Sequence, residues 1–453
     1  MSRATPKMKR QTNALFALLV LVCLVIFSFS RYWEKKQVIE WDVTIYYAYL
    51  PAIFIYDDLK FENISTDEWA KRQFYLNTDT AGNNYLKMTS GLAFLYSPFF
   101  VGAHLFATNS QAFPADGFSV PYRFALLLSA LFFTLWGLHF LRMVLQRFFS
   151  PWIAVLGVIL IYCGSNLPYY SFVEPMTHAY NFFLVSLILW AFFKYFNKPR
   201  WALAALIGLA SGLLTLIRPT DILVLLFPVA YWLFSRKRPT LKTMAPHLLL
   251  AGVLGALMIS PQLFYWHYAT GNWVVYSYND ESFFFHDPEI WKGYFSYRKG
   301  WFVYAPILWF SLPGFILLAR HRAKRPLVLG MVLTVLAASW VTFSWWCWWY
   351  GGGFGARPMI EFLPLMALAL AATLQAVSGL KVYWKAPAIA ALVFVTGWSI
   401  FMNKQYKSQI FHWDSMSKEL FWAQFFKDHF VENYNQLTDP PDYEAAKQNK
   451  NVN

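Results

Sequence analysis

An all-α polytopic bundle of transmembrane helices is the fold this sequence predicts, and three observations predict it. Of 453 residues, 58% are hydrophobic and 14% charged, far from the balance of a soluble domain. Apolar runs close to the roughly 20 residues needed to cross a bilayer recur from one end of the chain to the other. Short clusters of Lys and Arg fall between those runs, where such charges orient helices, and the alternating pattern of a membrane β-barrel is absent. The formal charge of +14 is therefore assigned to membrane orientation and not to nucleic acid.

The first run, 13–30, follows the basic stretch Arg3 to Arg10 and lacks a small-residue cleavage site at SFSRYW, so it is expected to stay as an anchor. The next spans are expected near 121–141, 151–168, 178–196, 201–217, 219–235, 248–266, 301–319, 327–344, 358–377 and 386–402, about eleven in all. Basic clusters at Arg142 to Arg147, Lys194 to Arg200, Arg236 to Lys242, Arg320 to Arg325 and Lys381 to Lys385 then face the cytoplasm with the N-terminus, and the C-terminus lies outside. The run Gly91 to Ala107 breaks this alternation if it crosses, because the following loop carries no Lys or Arg. It is expected to lie on the outer face as an amphipathic or re-entrant helix.

Two large outer loops result, 31–121 and 267–300, followed by a tail at 403–453. In that tail Leu420, Phe421, Phe425 and Phe426 suit an interfacial helix, and the polar end beyond is expected to be disordered. Cys23, Cys163 and Cys347 are too scattered for a disulfide framework or a metal site. No P-loop, dinucleotide fingerprint, zinc-protease helix or hydrolase elbow occurs.

Charge at an outer helix end is the informative signal in such a chain. Asp42, in WDVTIYYAYLPAIF, stands before Tyr46 and Tyr47 and can serve as a base toward a substrate hydroxyl, or simply as a helix N-cap. Glu174 and His178, in SFVEPMTHAY, flank a helix entry where Pro175 puts Glu174 just outside the helix. Lys87, Arg123, Arg218, Arg298, Lys299 and Arg357 are candidate phosphate donors. Two of them have sequence-local partners, Arg218 in Asp221 and Arg357 in Glu361 one helical turn on, and any single one can instead snorkel to lipid headgroups.

In SWWCWWYGGGFGAR, Trp345, Trp346, Trp348 and Trp349 suit either an aromatic belt or a sugar or prenyl surface, and Gly351 to Gly353 can bring backbone N–H groups to a phosphate. His286, Asp287 and Glu289 offer metal-ligand types on the second loop, although a solvated loop accounts for them better; no cofactor is otherwise expected. Asn63-Ile64-Ser65 forms a glycosylation sequon, meaningful only in a eukaryotic lumen.

These residues together resemble the GT-C superfamily of integral-membrane glycosyltransferases, most closely its protein O-mannosyltransferase and lipid A aminoarabinose-transferase branch. Asp42 is similar to that family's early acidic residue at the reaction centre. Lys87 in YLKMTSGLAFLYSPFF is similar to its phosphate-binding lysine, and Arg123 in VPYRFALLLSALF to the arginine opening the second span. Glu174 falls where a second carboxylate occurs, and Arg357 in GARPMIEFLPLMALAL where a late arginine does. Val43 follows Asp42, so the mannosyltransferases' Asp-Glu pair is unmatched, which points away from mannosyl transfer to protein.

The resemblance implies one glycosyltransferase-like membrane domain over 1–402. It also implies a polyprenyl-phosphate-linked sugar as donor, a lipid, glycan or protein as acceptor, and a bacterial inner membrane. Such a donor carries its own good leaving group, so a base and cations suffice, without the carboxyl pair of a glycosidase. A transporter or flippase of lipid-linked sugars would need polar residues at mid-membrane depth. A surface-glycan polymerase or ligase differs mainly in its acceptor.

Overall fold

The structure is a computed structural model that describes residues 5–63 and 74–449. Ile64 and Ser65 of the sequon, and Arg3 of the first basic stretch, lie outside the described residues. Helices dominate: α1 (Pro6–Ser30), the short α2 (Trp41–Tyr47) and α3 (Tyr49–Phe54), α4 (Gly91–Thr108), α5 (Val120–Phe148), α6 (Pro151–Cys163), α7 (Leu167–Phe172), α8 (Thr177–Asn197), α9 (Trp201–Ile217), α10 (Leu226–Phe234), α11 (Leu241–Thr270), α12 (Ile290–Phe295), α13 (Trp301–Tyr304), α14 (Ser311–Ala319), α15 (Arg325–Phe343), α16 (Leu363–Ser378), α17 (Val382–Lys407), α18 (Lys418–Ala423) and α19 (Tyr443–Lys447). The one β-ladder among the described residues pairs Asn77–Thr78 with Asn84–Tyr85.

Among the described residues eight helical stretches are long and apolar enough to cross a membrane: Pro6–Glu34, Gly91–Thr108, Val120–Phe148, Thr177–Asn197, Leu241–Thr270, Arg322–Phe343, Arg357–Ser378 and Val382–Lys407. Four shorter apolar stretches, Pro151–Cys163, Trp201–Ile217, Pro219–Phe234 and Pro306–Ala319, complete the bundle. The chain is thus an integral membrane protein. Its long helices carry Leu, Phe and Val outward: Leu18, Leu249, Val253, Leu257, Leu336 and Val393 are all exposed, as a lipid-facing surface requires.

Sequence chemistry sets the helix ends. Thr5, Ser150 and Thr240 each accept a backbone N–H at the start of α1, α6 and α11, and Gly271, at φ 77°, closes α11 in the left-handed conformation a glycine tolerates. Small residues bring α9 and α11 together: a Cβ on Gly208 would lie 2.4 Å from the Ala251 carbonyl, and one on Gly212 2.6 Å from that of Gly255. Backbones this close are how apolar helices associate when lipid supplies no hydrophobic drive.

Helix α4 has both ends at one end of the bundle. Its first residue, Gly91, abuts the terminal residue Ile217 of α9, and His104 near its other end meets Tyr122 at the start of α5, Nδ1 to Oη 2.6 Å. The tail corrects the expectation of disorder. Through Asn449 it is ordered against the body, with Tyr443 and Ala446 of α19 packed on Trp346, Trp348 and Trp349. The predicted interfacial helix is a single short turn, α18, with Leu420 and Phe421 buried.

Candidate functional site

Ends of helices far apart in sequence meet where α4 lies, and they bring ionic side chains together there. Arg357 is central. It opens a 3-10 turn, Arg357–Phe362, ahead of α16; its Nη2 donates to Asp42 Oδ2 and to the Tyr350 carbonyl, each at 3.0 Å, and its Nη1 lies 3.7 Å from Glu174 Oε1. One guanidinium therefore joins two carboxylates that the sequence places on separate loops.

Asp42 sits in the first turn of α2 with its side chain about a third exposed. Glu40 occupies the N-cap position and makes no side-chain cap bond, so the carboxylate of Asp42 faces Arg357 instead of closing its own helix. Glu174 lies between α7 and α8, outside the helix as Pro175 dictates. Burial pushes its carboxyl up to about 7, with the Arg357 charge opposing and the Asp42 charge adding to the rise.

Below these two carboxylates the cluster closes. His178, at the entry of α8, has Nδ1 2.8 Å from Glu361 Oε1, and Arg218 Nη1 lies 3.4 Å from the same oxygen. Asn181 donates to Asp221 Oδ2 at 2.6 Å. The Arg218 guanidinium also stands over the Tyr350 ring, 5.3 Å from its centroid, which links this layer to Arg357 through the Tyr350 carbonyl. Exposure falls from 33% at Asp42 and 25% at Glu174 through 12% at Arg357 to 4% at His178 and zero at Glu361.

Of the two sequence-local pairs expected for the cations, Arg218 keeps the Asp221 charge close beside it, whereas Arg357 and Glu361 are not in direct contact. A 3-10 turn repeats every three residues, so Glu361 does not share the face of Arg357 and pairs with His178 and Arg218. Arg218 reaches Glu361, and Asp221, which accepts from Asn181, adds a second acidic group beside it.

The remaining candidates divide. Lys87 Nζ pairs with Glu281 on the second large loop at 2.5 Å and stands over the Tyr278 ring. Tyr278 in turn packs edge-on against Trp345 at 5.3 Å, so Lys87 borders the site. Lys299 is buried, and its ammonium donates to the carbonyls of Gly353 and Trp413. Burial, with the Arg357 charge adding, lowers its pKa to about 7.

Arg298 ties down the tail: it donates to the carbonyls of Asp414 and Asp439 and to Asp439 Oδ2, all within 2.9 Å. Arg123 is buried in α5 and donates to the Glu34 carbonyl at 3.2 Å, apart from the Arg357 cluster. Tyr46 is buried on α2, whereas Tyr47 donates to the Gly117 carbonyl and packs on Tyr96, Phe100 and Phe118.

Of the tryptophans, Trp345 borders the site through Tyr278, and Trp346, Trp348 and Trp349 pack under the tail. The glycine run has a steric cause. Gly353, at φ 153°, would with a Cβ come 2.8 Å from Arg357 Cδ. The amides of Gly351, Gly353 and Phe354 donate to Cys347 Sγ, Tyr406 Oη and Tyr170 Oη, which corrects the expectation that Gly351 and Gly353 present free N–H groups. On the second loop, Glu289 pairs with Lys292 at 2.8 Å and Asp287 accepts from Asn449. Among the described residues no three His, Cys, Asp or Glu side chains gather as a metal site.

Sequence reasoning did not foresee Tyr350, Tyr170, Tyr406 or Glu281, which hold the arginines, the glycine loop and Lys87. Tyrosines at helix ends are too frequent in a chain with 27 of them to stand out before folding. No protein-family model matches the chain, and no curated protein matches it.

Proposed function

We propose that this protein is an inverting glycosyltransferase of the membrane, moving a sugar from a polyprenyl-phosphate donor to an acceptor hydroxyl at its outer face. The observation that carries the reading is Arg357 held between Asp42 and Glu174 on partly open ground, with Lys299 and Arg218 behind. In the reaction the acceptor oxygen attacks the anomeric carbon, its proton passes to Asp42, and the bond from that carbon to the phosphate oxygen breaks. The phosphate leaves as an anion toward Arg357, with Lys87 at the rim, and a single in-line displacement inverts the anomeric centre. Phosphate oxygens are bidentate acceptors for a guanidinium, so donor binding draws Arg357 from Asp42 and frees that carboxylate to act as base. Glu174 and His178 orient the acceptor.

The same reading assigns eleven crossings: α4 lies along the outer face, in keeping with both its ends meeting one end of the bundle, and the other seven long stretches cross with the four shorter ones. The basic clusters then face the cytoplasm of a bacterial cell, with the N-terminus inside and the C-terminus outside. Ionic groups gathered at one end favour a reaction at one face over a transport path through the middle.

The test is mass spectrometry of polyprenyl-phosphate sugars in cells lacking the protein, restored with wild type or Asp42→Asn. One lipid-linked sugar accumulating in the null and in Asp42→Asn, but not with wild type, is the expected result. Unchanged pools in all three overturn the donor assignment.

A further inference from the structure

At the opposite end of the bundle a recess of about 330 Å³ opens between the ends of α5 and α8, a volume at the small end of ligand pockets, about 300–1,000 Å³. Arg147, Lys194, Gln146, Asn197, Trp190 and Phe193 line it. The Arg147 guanidinium is fixed in place: Nη2 donates to Asn197 Oδ1 at 2.7 Å, Nη1 reaches the Phe193 carbonyl at 3.4 Å, and the group lies over the Phe193 and Phe148 rings. Lys194 stands over Trp190. Buried Trp190 Nε1 has no acceptor among the described residues.

No carboxylate answers these two cations. Neither enters an ion pair among the described residues, and the chain has no Asp or Glu at 117–173 or 175–220, the stretches that hold them. Two oriented cations, a buried indole N–H and two amide side chains form a donor-rich recess at the end of two helices apolar enough to cross a membrane. Its complement is a compact anion bearing several acceptor oxygens, and at a membrane surface that anion is the phosphate of a lipid headgroup. We propose that this recess binds the phosphate of an anionic phospholipid headgroup, in a site separate from the Arg357 cluster and independent of the reaction assigned to it.

Native mass spectrometry of the full chain, released from micelles doped with phosphatidylglycerol or with phosphatidylcholine, tests this. Wild type is expected to retain phosphatidylglycerol preferentially. The pair Arg147→Gln/Lys194→Gln is expected to weaken retention on the order of 10- to 30-fold, taking about 1 kcal/mol for each cation. Trp190→Phe, which removes the indole N–H and leaves a smaller aromatic ring, is expected to cost about 3-fold. Because that variant leaves both cations in place, its loss reads the recess even where the double variant misfolds. The control pair Lys198→Gln/Arg200→Gln, just outside the recess, is expected to change retention less than about twofold.

Equal loss in the control pair reduces the effect to general surface charge and overturns the site. So does equal retention of the two lipids. A third arm offers millimolar inorganic phosphate: retention of phosphate with no phosphatidylglycerol bound overturns the lipid headgroup in favour of a soluble anion.

Discussion

The two ends of this bundle treat charge in opposite ways. At the end carrying Arg357, buried cations pair with carboxylates: Arg357 with Asp42 and Glu174, Arg218 with the buried Glu361, Arg298 with Asp439. At the other end Arg147, Lys194, Arg236, Lys237 and Arg238 stand in stretches without a single Asp or Glu, 117–173, 175–220 and 222–279. The second pattern meets what membrane orientation requires, a sum of positive charge without carboxylate partners, whatever further use Arg147 and Lys194 are put to. The first goes beyond it, because a buried ion pair is costly to assemble and orientation does not need it. On the proposed reading, the difference separates charge that places the protein from charge that takes part in the reaction.

Function should divide along the same line. With Asp42 as base, Asp42→Asn is expected to lower the transfer rate about 1,000-fold, within the usual range for a positioned acid or base. Lys237→Gln, an exposed cation of the basic end, is expected to leave it within about twofold. Rates on a purified donor and acceptor decide this, and comparable losses in both variants would erase the distinction between the two ends.

Stability should divide too. Glu361 is fully buried and accepts from two side chains, so Glu361→Ala removes the carboxylate that Arg218 and His178 share and is expected to cost about 3 kcal/mol. Among the described residues no cation of the basic end has such a partner to lose, and Arg236→Ala is expected to stay within about 0.5 kcal/mol. Equilibrium unfolding in detergent reads both.

How far the sequence foretells this depends on range. Spans, basic clusters and the side on which each ionisable residue falls are properties of local composition, and Asp42, Glu174, His178 and Arg357 could be collected on one face from those alone. Their pairing could not, because which carboxylate meets which cation depends on helix rotation and on the 3-10 turn at Arg357, neither of which local composition fixes. The tail misleads for the same reason. The polar end beyond its interfacial segment reads as disorder, yet Asp439 is held there by Arg298, and Tyr443 by tryptophans nearly a hundred positions earlier.

The glycine run sharpens the comparison at the scale of one atom. A methyl group on Gly353 would meet Arg357 Cδ at 2.8 Å from a backbone at φ 153°, which strains the loop and displaces the guanidinium together. Gly353→Ala is expected to reduce transfer about 30-fold, because a displacement on the order of 1 Å near the reacting groups costs about that much or more. Gly252, around which a Cβ meets nothing, is the matched site in α11, and Gly252→Ala is expected to leave the rate unchanged.

The smallest expected effect comes from pH. The Glu174 carboxyl is raised from 4.5 to about 7, mainly by burial, so between those values the folded protein keeps a proton that the unfolded chain has lost. Stability therefore falls as pH rises from 4.5 to about 7. Lys299 is lowered from 10.5 to about 7, again mainly by burial, so above 7 the unfolded chain holds the proton that the folded protein has released, and stability rises toward pH 10.5. Both signs follow from stability increasing with pH wherever the unfolded state binds more protons. Together they give a minimum near pH 7, on the order of 1–2 kcal/mol once the partial exposure of Glu174 is allowed for. Unfolding curves from pH 5 to 10 should show that dip in wild type and lose it in Glu174→Gln/Lys299→Met, whereas Arg236→Gln should leave it in place. A dip that survives the double variant would mean that burial at the Arg357 end does not govern how the protein holds its charge.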